Sequence, residues 1–337
     1  MKEAAYYNVL EENNIQCVLC PHKCYIKPGE RGKCLVRLND KGALIAENYG
    51  LISSIHFDPI EKKPLYHYYP GSEILSIGTV GCNLSCGFCQ NCEISQKRID
   101  EYPGLIPYNA PSLVEIARKG TNNIGIAYTY NEPVIYYEYV IEIAKEAASK
   151  GLKNVMVSNG FIETDPLKEL LNVMDAFNID LKSFSGKFYK DHTGGRLKPI
   201  LKSLELIRES GKHLELTNLL IPGLNDDPKT FKEMISWIRD HLGKNTILHL
   251  SKYHPAYQYK IPATPEGTMK RLYSIAKEEL NFVYLGNLLV NSGSNTICPN
   301  CNKILIARTG YNTKIVGINS DMVCKSCQSE LSEFFTF

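Results

Sequence analysis

Ile74-Leu75-Ser76-Ile77-Gly78-Thr79-Val80 runs directly into Gly81-Cys82-Asn83-Leu84-Ser85-Cys86-Gly87-Phe88-Cys89. The first seven residues are apolar, rich in β-branched side chains and bounded by glycine, as a buried strand requires. Similar short runs recur at 124–128, 154–158, 177–181, 213–220 and 246–250. Amphipathic stretches of helical length lie between them, among them 133–150 and 227–241. Six strands alternating with helices imply a parallel α/β sheet. A closed eight-unit barrel takes about 250 residues, and the interval from Ile74 to Leu289 offers fewer units. The expected fold is therefore a partial (β/α)6 TIM-type barrel with small cysteine-rich metal-binding regions at both termini, a doubly wound sheet being the alternative. In such a barrel the cysteine loop lies at the C-terminal end of a strand, where barrels keep their chemistry.

Outward from that stretch the twelve cysteines form three groups: Cys17, Cys20, Cys24 and Cys34; Cys82, Cys86, Cys89 and Cys92; Cys298, Cys301, Cys324 and Cys327. This grouping divides the 337 residues into an N-terminal metal-binding region (1–70), the partial barrel (71–292) and a C-terminal zinc-ribbon or rubredoxin-like module (293–337). A net charge of +2 supplies no strong field for nucleic acid or an anionic membrane. The first residues lack the apolar run of a secretory signal, and no stretch approaches a membrane span. A cytoplasmic protein is expected, in which clustered thiols hold metal rather than disulfides.

Three thiolates spaced x3 and x2 can bind three corners of a cubane 4Fe-4S cluster and leave one iron open to a ligand. A zinc or ferredoxin-like site closed by Cys92 is the competing reading; Cys92 as a fourth ligand would close that position. The spacing, with Phe88 before the last cysteine, resembles the signature of the radical S-adenosylmethionine (SAM) superfamily. The resemblance implies that the open iron chelates the amino and carboxylate groups of SAM. One electron passed into the sulfonium then releases a 5′-deoxyadenosyl radical that abstracts hydrogen from a substrate, while the protein excludes water.

Asp58-Pro59-Ile60-Glu61-Lys62-Lys63-Pro64-Leu65-Tyr66-His67, Tyr128-Thr129-Tyr130-Asn131-Glu132-Pro133, Ser158-Asn159-Gly160-Phe161, Asp180-Leu181-Lys182 and Tyr253-His254-Pro255-Ala256-Tyr257 look like the pyruvate formate-lyase activating enzyme-like branch. Within it, nearly the whole chain is similar to the AmmeMemoRadiSam-system radical SAM proteins. The resemblance assigns SAM contacts to Phe88, Asn131, Glu132, Asp180, Lys182 and His254. Asn131 and Glu132 match a Gly-Gly-Glu-Pro element that holds the SAM ammonium, with Tyr130 and Asn131 in place of the glycines. Lys182, in an Asp-x-Lys element, meets the SAM carboxylate. Ser158 and Asn159, ending the third strand, are candidates for the ribose hydroxyls, with a polar helix cap as the alternative.

Two Cys-x2-Cys pairs, Cys298/Cys301 and Cys324/Cys327, carry a tetrahedral zinc or iron signal. The less regular Cys17, Cys20, Cys24, Cys34 set reads as zinc first and an auxiliary 4Fe-4S cluster second, with His22 as ligand or neighbour. The enzyme so described needs an electron donor such as ferredoxin or flavodoxin. Its substrate is a small molecule or a polypeptide, and the AmmeMemoRadiSam resemblance adds two companion protein types as partners. An activating enzyme that installs a glycyl radical in a partner is the alternative. A non-catalytic metal-stabilised binding or electron-transfer protein is the rival from another class.

Overall fold

The computed structural model describes residues 2–288 and 293–337. The expected barrel boundary at residue 292 therefore lies outside the described residues. Seven parallel strands form the central sheet: β1 (Glu73–Gly78), β2 (Asn123–Tyr128), β3 (Lys153–Ser158), β4 (Ala176–Asp180), β5 (His213–Leu220), β6 (Ile247–Lys252) and β7 (Phe282–Gly286). They stand side by side in chain order, and an antiparallel strand, Ser54–Pro59, flanks β1. That unbroken order is the winding of a partial barrel, since a doubly wound sheet reverses its order at a switch point.

All six expected strands are present, and the sheet gains two more. β7 was hidden because only Leu280 and Asn281 separate it from the helix Glu266–Glu279. Ser54–Pro59 exposes His56 and Phe57 in succession, which breaks the period-two pattern by which an edge strand is read. The helix Pro228–Leu242 starts on Asp227, whose side chain accepts from the Thr230 amide, and turns Phe231, Met234, Ile235, Ile238 and Leu242 inward. The stretch 133–150 divides into a 3-10 turn, Pro133–Tyr136, and a helix, Tyr137–Ser149.

The N-terminal residues form two small three-stranded sheets. Their apolar side chains, Ile15, Leu19, Ile26, Val36 and Leu44, belong to the same core as the barrel. Buried Arg37 pairs at 2.8 Å with Glu138 of the helix Tyr137–Ser149, tying the region down further. The C-terminal strands Thr296–Ile297, Ile304–Thr309 and Asn312–Ile315 instead surround their own apolar cluster, including Leu305, Ile306, Leu331 and Phe335. Arg308 docks this module on the barrel by donating to the Tyr66 carbonyl at 2.6 Å and stacking on its ring.

Residues 65–69, though apolar and aromatic, form no strand; only Tyr68 forms an isolated bridge, to Thr336. The amides of Tyr66 and His67 donate to the buried carboxylate of Glu215 at the closed end of the barrel, which takes them out of any ladder. Among the described residues no helix is long and apolar enough to cross a membrane.

Candidate active site

The C-terminal ends of the strands surround a cavity of about 540 Å³. β1 leads into the cysteine loop, β2 into Thr129–Glu132, β3 ends at Ser158 and β4 at Asp180, and all of these line the cavity. The volume falls in the range of small-molecule sites. Gly81 sets the path of the loop: its φ is +91°, and a Cβ there would lie 2.6 Å from the Cys34 carbonyl oxygen, so only glycine fits.

Cys82, Cys86 and Cys89 all face the cavity; Cys92 lies on the short helix Cys92–Ser95 and does not line it. Burial raises the Cys82 thiol well above its ordinary value and pushes Cys86 up to about 12. Metal binding must then displace these protons. Among the described residues, only Cys298, Cys301, Cys324 and Cys327 bring their sulfurs within 4.8 Å of one another. The central thiols thus share a wall at a wider spacing than one tetrahedral ion takes, which fits a multi-iron cluster. Ser95 Oγ lies 3.1 Å from Cys89 Sγ, and the Leu84 amide donates to Cys82 Sγ at 3.4 Å.

Glu132 is 2% exposed and lines the same cavity. Its carboxylate accepts from Ser158 Oγ (2.7 Å), the Asn159 amide (2.8 Å) and the Val134 amide (3.1 Å), all neutral donors. Desolvation outweighs these bonds and raises its pKa from 4.5 to about 7. Ser158 and Asn159 are thereby engaged with Glu132, and the Asn159 side chain also donates to Asn83 Oδ1 at 2.8 Å. Both residues line the cavity, and these polar groups brace its wall.

Asp180 and Lys182 meet at 2.8 Å on the cavity wall. Burial disfavours the Lys182 ammonium, but its pairing with the Asp180 carboxylate more than offsets this and raises its pKa. Asn131 spans the start of the cysteine loop, accepting from the Thr79 amide (3.1 Å) and donating to the Gly81 carbonyl (3.0 Å). Phe88 is buried beside the cysteines. His254 is exposed and does not line the cavity. The buried histidine of that strand is His249, which points to the closed end and donates to Glu215 at 2.6 Å.

Several wall residues carried no signal as site residues. Lys62 and Lys63 line the cavity while both pair with Asp58, at 2.8 and 2.7 Å. Tyr130 adopts φ +67°, the left-handed conformation that glycine tolerates best. Its hydroxyl donates to Asp58 at 2.6 Å, its ring lies under Lys63 Nζ, and its carbonyl accepts from Asn91 at 2.6 Å. Tyr311 reaches the cavity from the C-terminal module. Lys62 and Lys63 were quoted in a motif, but their turn toward the cavity follows from the 3-10 turn Ile60–Lys62, invisible in periodicity.

Residues 76–238 match the family model of the Radical SAM superfamily. The chain is 43% identical to an uncharacterized protein of Methanocaldococcus jannaschii over 97% of both chains. It is 22% identical to the benzylsuccinate synthase activating enzyme of Thauera aromatica over 39% of this chain and 40% of that one. A radical SAM methyltransferase of Sphaerobacter thermophilus has a similar fold, with a TM-score of 0.52 and 14% identity over 70% of this chain and 71% of that one. The protein belongs to the radical SAM superfamily. It is an enzyme of that class, whose shared equipment is a 4Fe-4S cluster and SAM used in radical chemistry. Its C-terminal group of four cysteines is also arranged to bind a metal ion.

Proposed function

We propose that this enzyme reductively cleaves SAM at a cluster held by Cys82, Cys86 and Cys89 and abstracts hydrogen from a substrate in the same cavity. The observation that carries this reading is Glu132, a fully buried carboxylate on the cavity wall with neutral partners only. An ionised carboxylate in such surroundings is costly until a cation joins it. The amino group of SAM, cationic in solution and still an N–H donor when it ligates iron, is that partner, and Glu132 orients it with Ser158 and the Asn159 amide as its supports. Lys182, held extended by Asp180, receives the SAM carboxylate. Phe88 packs beside the nucleoside, and Asn131 fixes the cysteine loop. A cluster held by Cys82, Cys86 and Cys89 would supply the one electron that reductive cleavage of the sulfonium carbon–sulfur bond requires.

Residues 1–70, apart from the strand Ser54–Pro59 that joins the barrel sheet, act in this reading as metal region, 71–292 as catalytic barrel and 293–337 as metal-binding module. The reductant is a low-potential carrier of the ferredoxin or flavodoxin type. A second reading, installation of a glycyl radical in a partner protein, draws support from the likeness to the benzylsuccinate synthase activating enzyme. Companion proteins of the AmmeMemoRadiSam type are the further candidates for partners. The test is anaerobic: load the protein with iron and sulfide, reduce it, add SAM and quantify 5′-deoxyadenosine. The native chain is expected to produce it and Cys86→Ala to produce none. A fully loaded, reduced native protein that binds SAM but leaves it intact overturns the proposal.

A further inference from the structure

The N-terminal cysteines pose a separate question, since a structural zinc and an iron–sulfur cluster both take four thiolates. The protein supplies its own standard for a one-ion site. In the C-terminal module the sulfurs of Cys298 and Cys327 lie 3.8 Å apart, and those of Cys301 and Cys324 3.7 Å. Four sulfurs about 2.3 Å from one zinc stand about 3.8 Å from each other, the same spacing. Cys17, Cys20, Cys24 and Cys34 also face one common cavity, shared with His22 and Arg37. Yet no three of those ligand atoms come within 4.8 Å of one another. They share this wider spacing with Cys82, Cys86 and Cys89.

A second observation points to a ligand in that cavity. Arg37 is 1% exposed, its terminal nitrogens bond Glu138 and the Ala5 carbonyl, and its Nε is buried without a partner. Buried donors are rarely left unpaired. Thiolate and sulfide are acceptors, and the negative charge of a four-thiolate cluster suits a guanidinium at its edge. We infer that Cys17, Cys20, Cys24 and Cys34 hold a second 4Fe-4S cluster, with all four irons ligated by protein and Arg37 Nε donating to it.

The position gives this cluster a structural hold on the first. The Cys34 carbonyl oxygen lies 2.6 Å from where a Cβ on Gly81 would be, and His22 Nε2 is 2.7 Å from the carbonyl oxygen of Asn83, the residue after Cys82. The two cysteine loops are packed back to back.

Acid-labile sulfide is the deciding readout, because a single iron or zinc in the C-terminal module brings none. The full chain carrying Cys82→Ala, Cys86→Ala and Cys89→Ala together is reconstituted anaerobically and analysed for iron, zinc and sulfide. We expect about four sulfides per chain to remain, with an electron paramagnetic resonance signal on reduction, and both to vanish when Cys20→Ala and Cys24→Ala are added. A folded triple variant, judged by circular dichroism, that contains no sulfide and a zinc lost on adding Cys20→Ala and Cys24→Ala overturns the inference. The native protein is analysed alongside: about eight sulfides support two clusters, and about four, all lost in the triple variant, refute the second alone. The proposed function fails separately, if sulfide persists in the triple variant but not in the variant lacking Cys20 and Cys24.

Discussion

If Glu132 holds the SAM ammonium as proposed, SAM affinity depends on pH. Its pKa of about 7 in the free protein means that the carboxylate is about three-quarters ionised at pH 7.5 but about one-tenth ionised at pH 6. Only the ionised form attracts the ammonium, so binding is expected to weaken about eightfold between those two values. The full coupling is larger: returning the pKa from about 7 to its ordinary 4.5 is a shift worth about 3.4 kcal/mol, or roughly 300-fold in affinity. The sign follows from the direction of the shift. A raised carboxyl pKa favours the protonated form in the free protein, so affinity is lost as pH falls through 7. The assay is equilibrium binding of SAM to the oxidised, cluster-loaded protein, in which no turnover occurs. Glu132→Gln is the control: the amide keeps shape, loses charge, and should bind about ten- to a hundred-fold more weakly, as loss of a charge-assisted bond requires. Its affinity should vary less over this pH range than that of the native protein. A native protein with flat affinity, or the same slope in Glu132→Gln, would falsify the assignment of the ammonium to Glu132.

Cys92→Ala should leave the central cluster's iron and sulfide content unchanged, since Cys92 lies off the cavity wall; loss of that cluster would instead make it a ligand. Cys301→Ser should release the C-terminal metal without loss of sulfide, and elemental analysis reads both. Glu215→Ala leaves the Tyr66 and His67 amides and two histidines without their acceptor. It should lower stability by about 3 kcal/mol or more in denaturant titration. Hydrogen bonds from His213 and His249 overcome the effect of burial and hold Glu215 well below 4.5. Its contribution is therefore present above pH 4.5 and shrinks as pH falls below that value, which denaturation of the native chain against Glu215→Gln detects.

The catalytic loop and the sheet were legible because both rest on local rules. Cysteine spacing encodes a ligand set, and short β-branched runs between helical stretches encode a parallel sheet. What escaped depends on contacts distant in sequence. Glu132 was readable as a site residue, but its neutral cage comes from Ser158 and Asn159, more than twenty positions away. Asn131, expected to contact the cofactor, lines the cavity and also braces the Gly81 loop through bonds to Thr79 and Gly81 that spacing does not show. His254, chosen from a motif, follows buried Tyr253 at the end of β6 and turns outward. The segment 65–69 has strand composition, yet Glu215 captures two of its amides, a competition that propensity does not register.

Tyr130 and Asn131 occupy positions where the related branch has glycines, and the structure explains how side chains are accommodated there. A non-glycine residue at φ +67° costs on the order of 1–3 kcal/mol. The hydroxyl bond to Asp58 is to a charged acceptor, worth about 1.5–3 kcal/mol, and the Lys63 ammonium over the ring adds about 0.5–2 kcal/mol. The two sides are comparable, so the strained conformation persists without glycine. The arrangement also has a consequence that glycine lacks. Asp58 belongs to the antiparallel edge strand, and through Tyr130 that strand is fastened to the turn that carries Glu132. Tyr130→Phe keeps the backbone, the ring and its contact with Lys63 but removes the hydroxyl bond that offsets most of the strain; it should destabilise the fold by about 1.5–3 kcal/mol and loosen SAM binding through Glu132. Tyr130→Gly removes strain and anchor together and should cost less stability than Tyr130→Phe. If Tyr130→Gly proves the more destabilising of the two, the ring's packing, not the Asp58 bond, holds the turn.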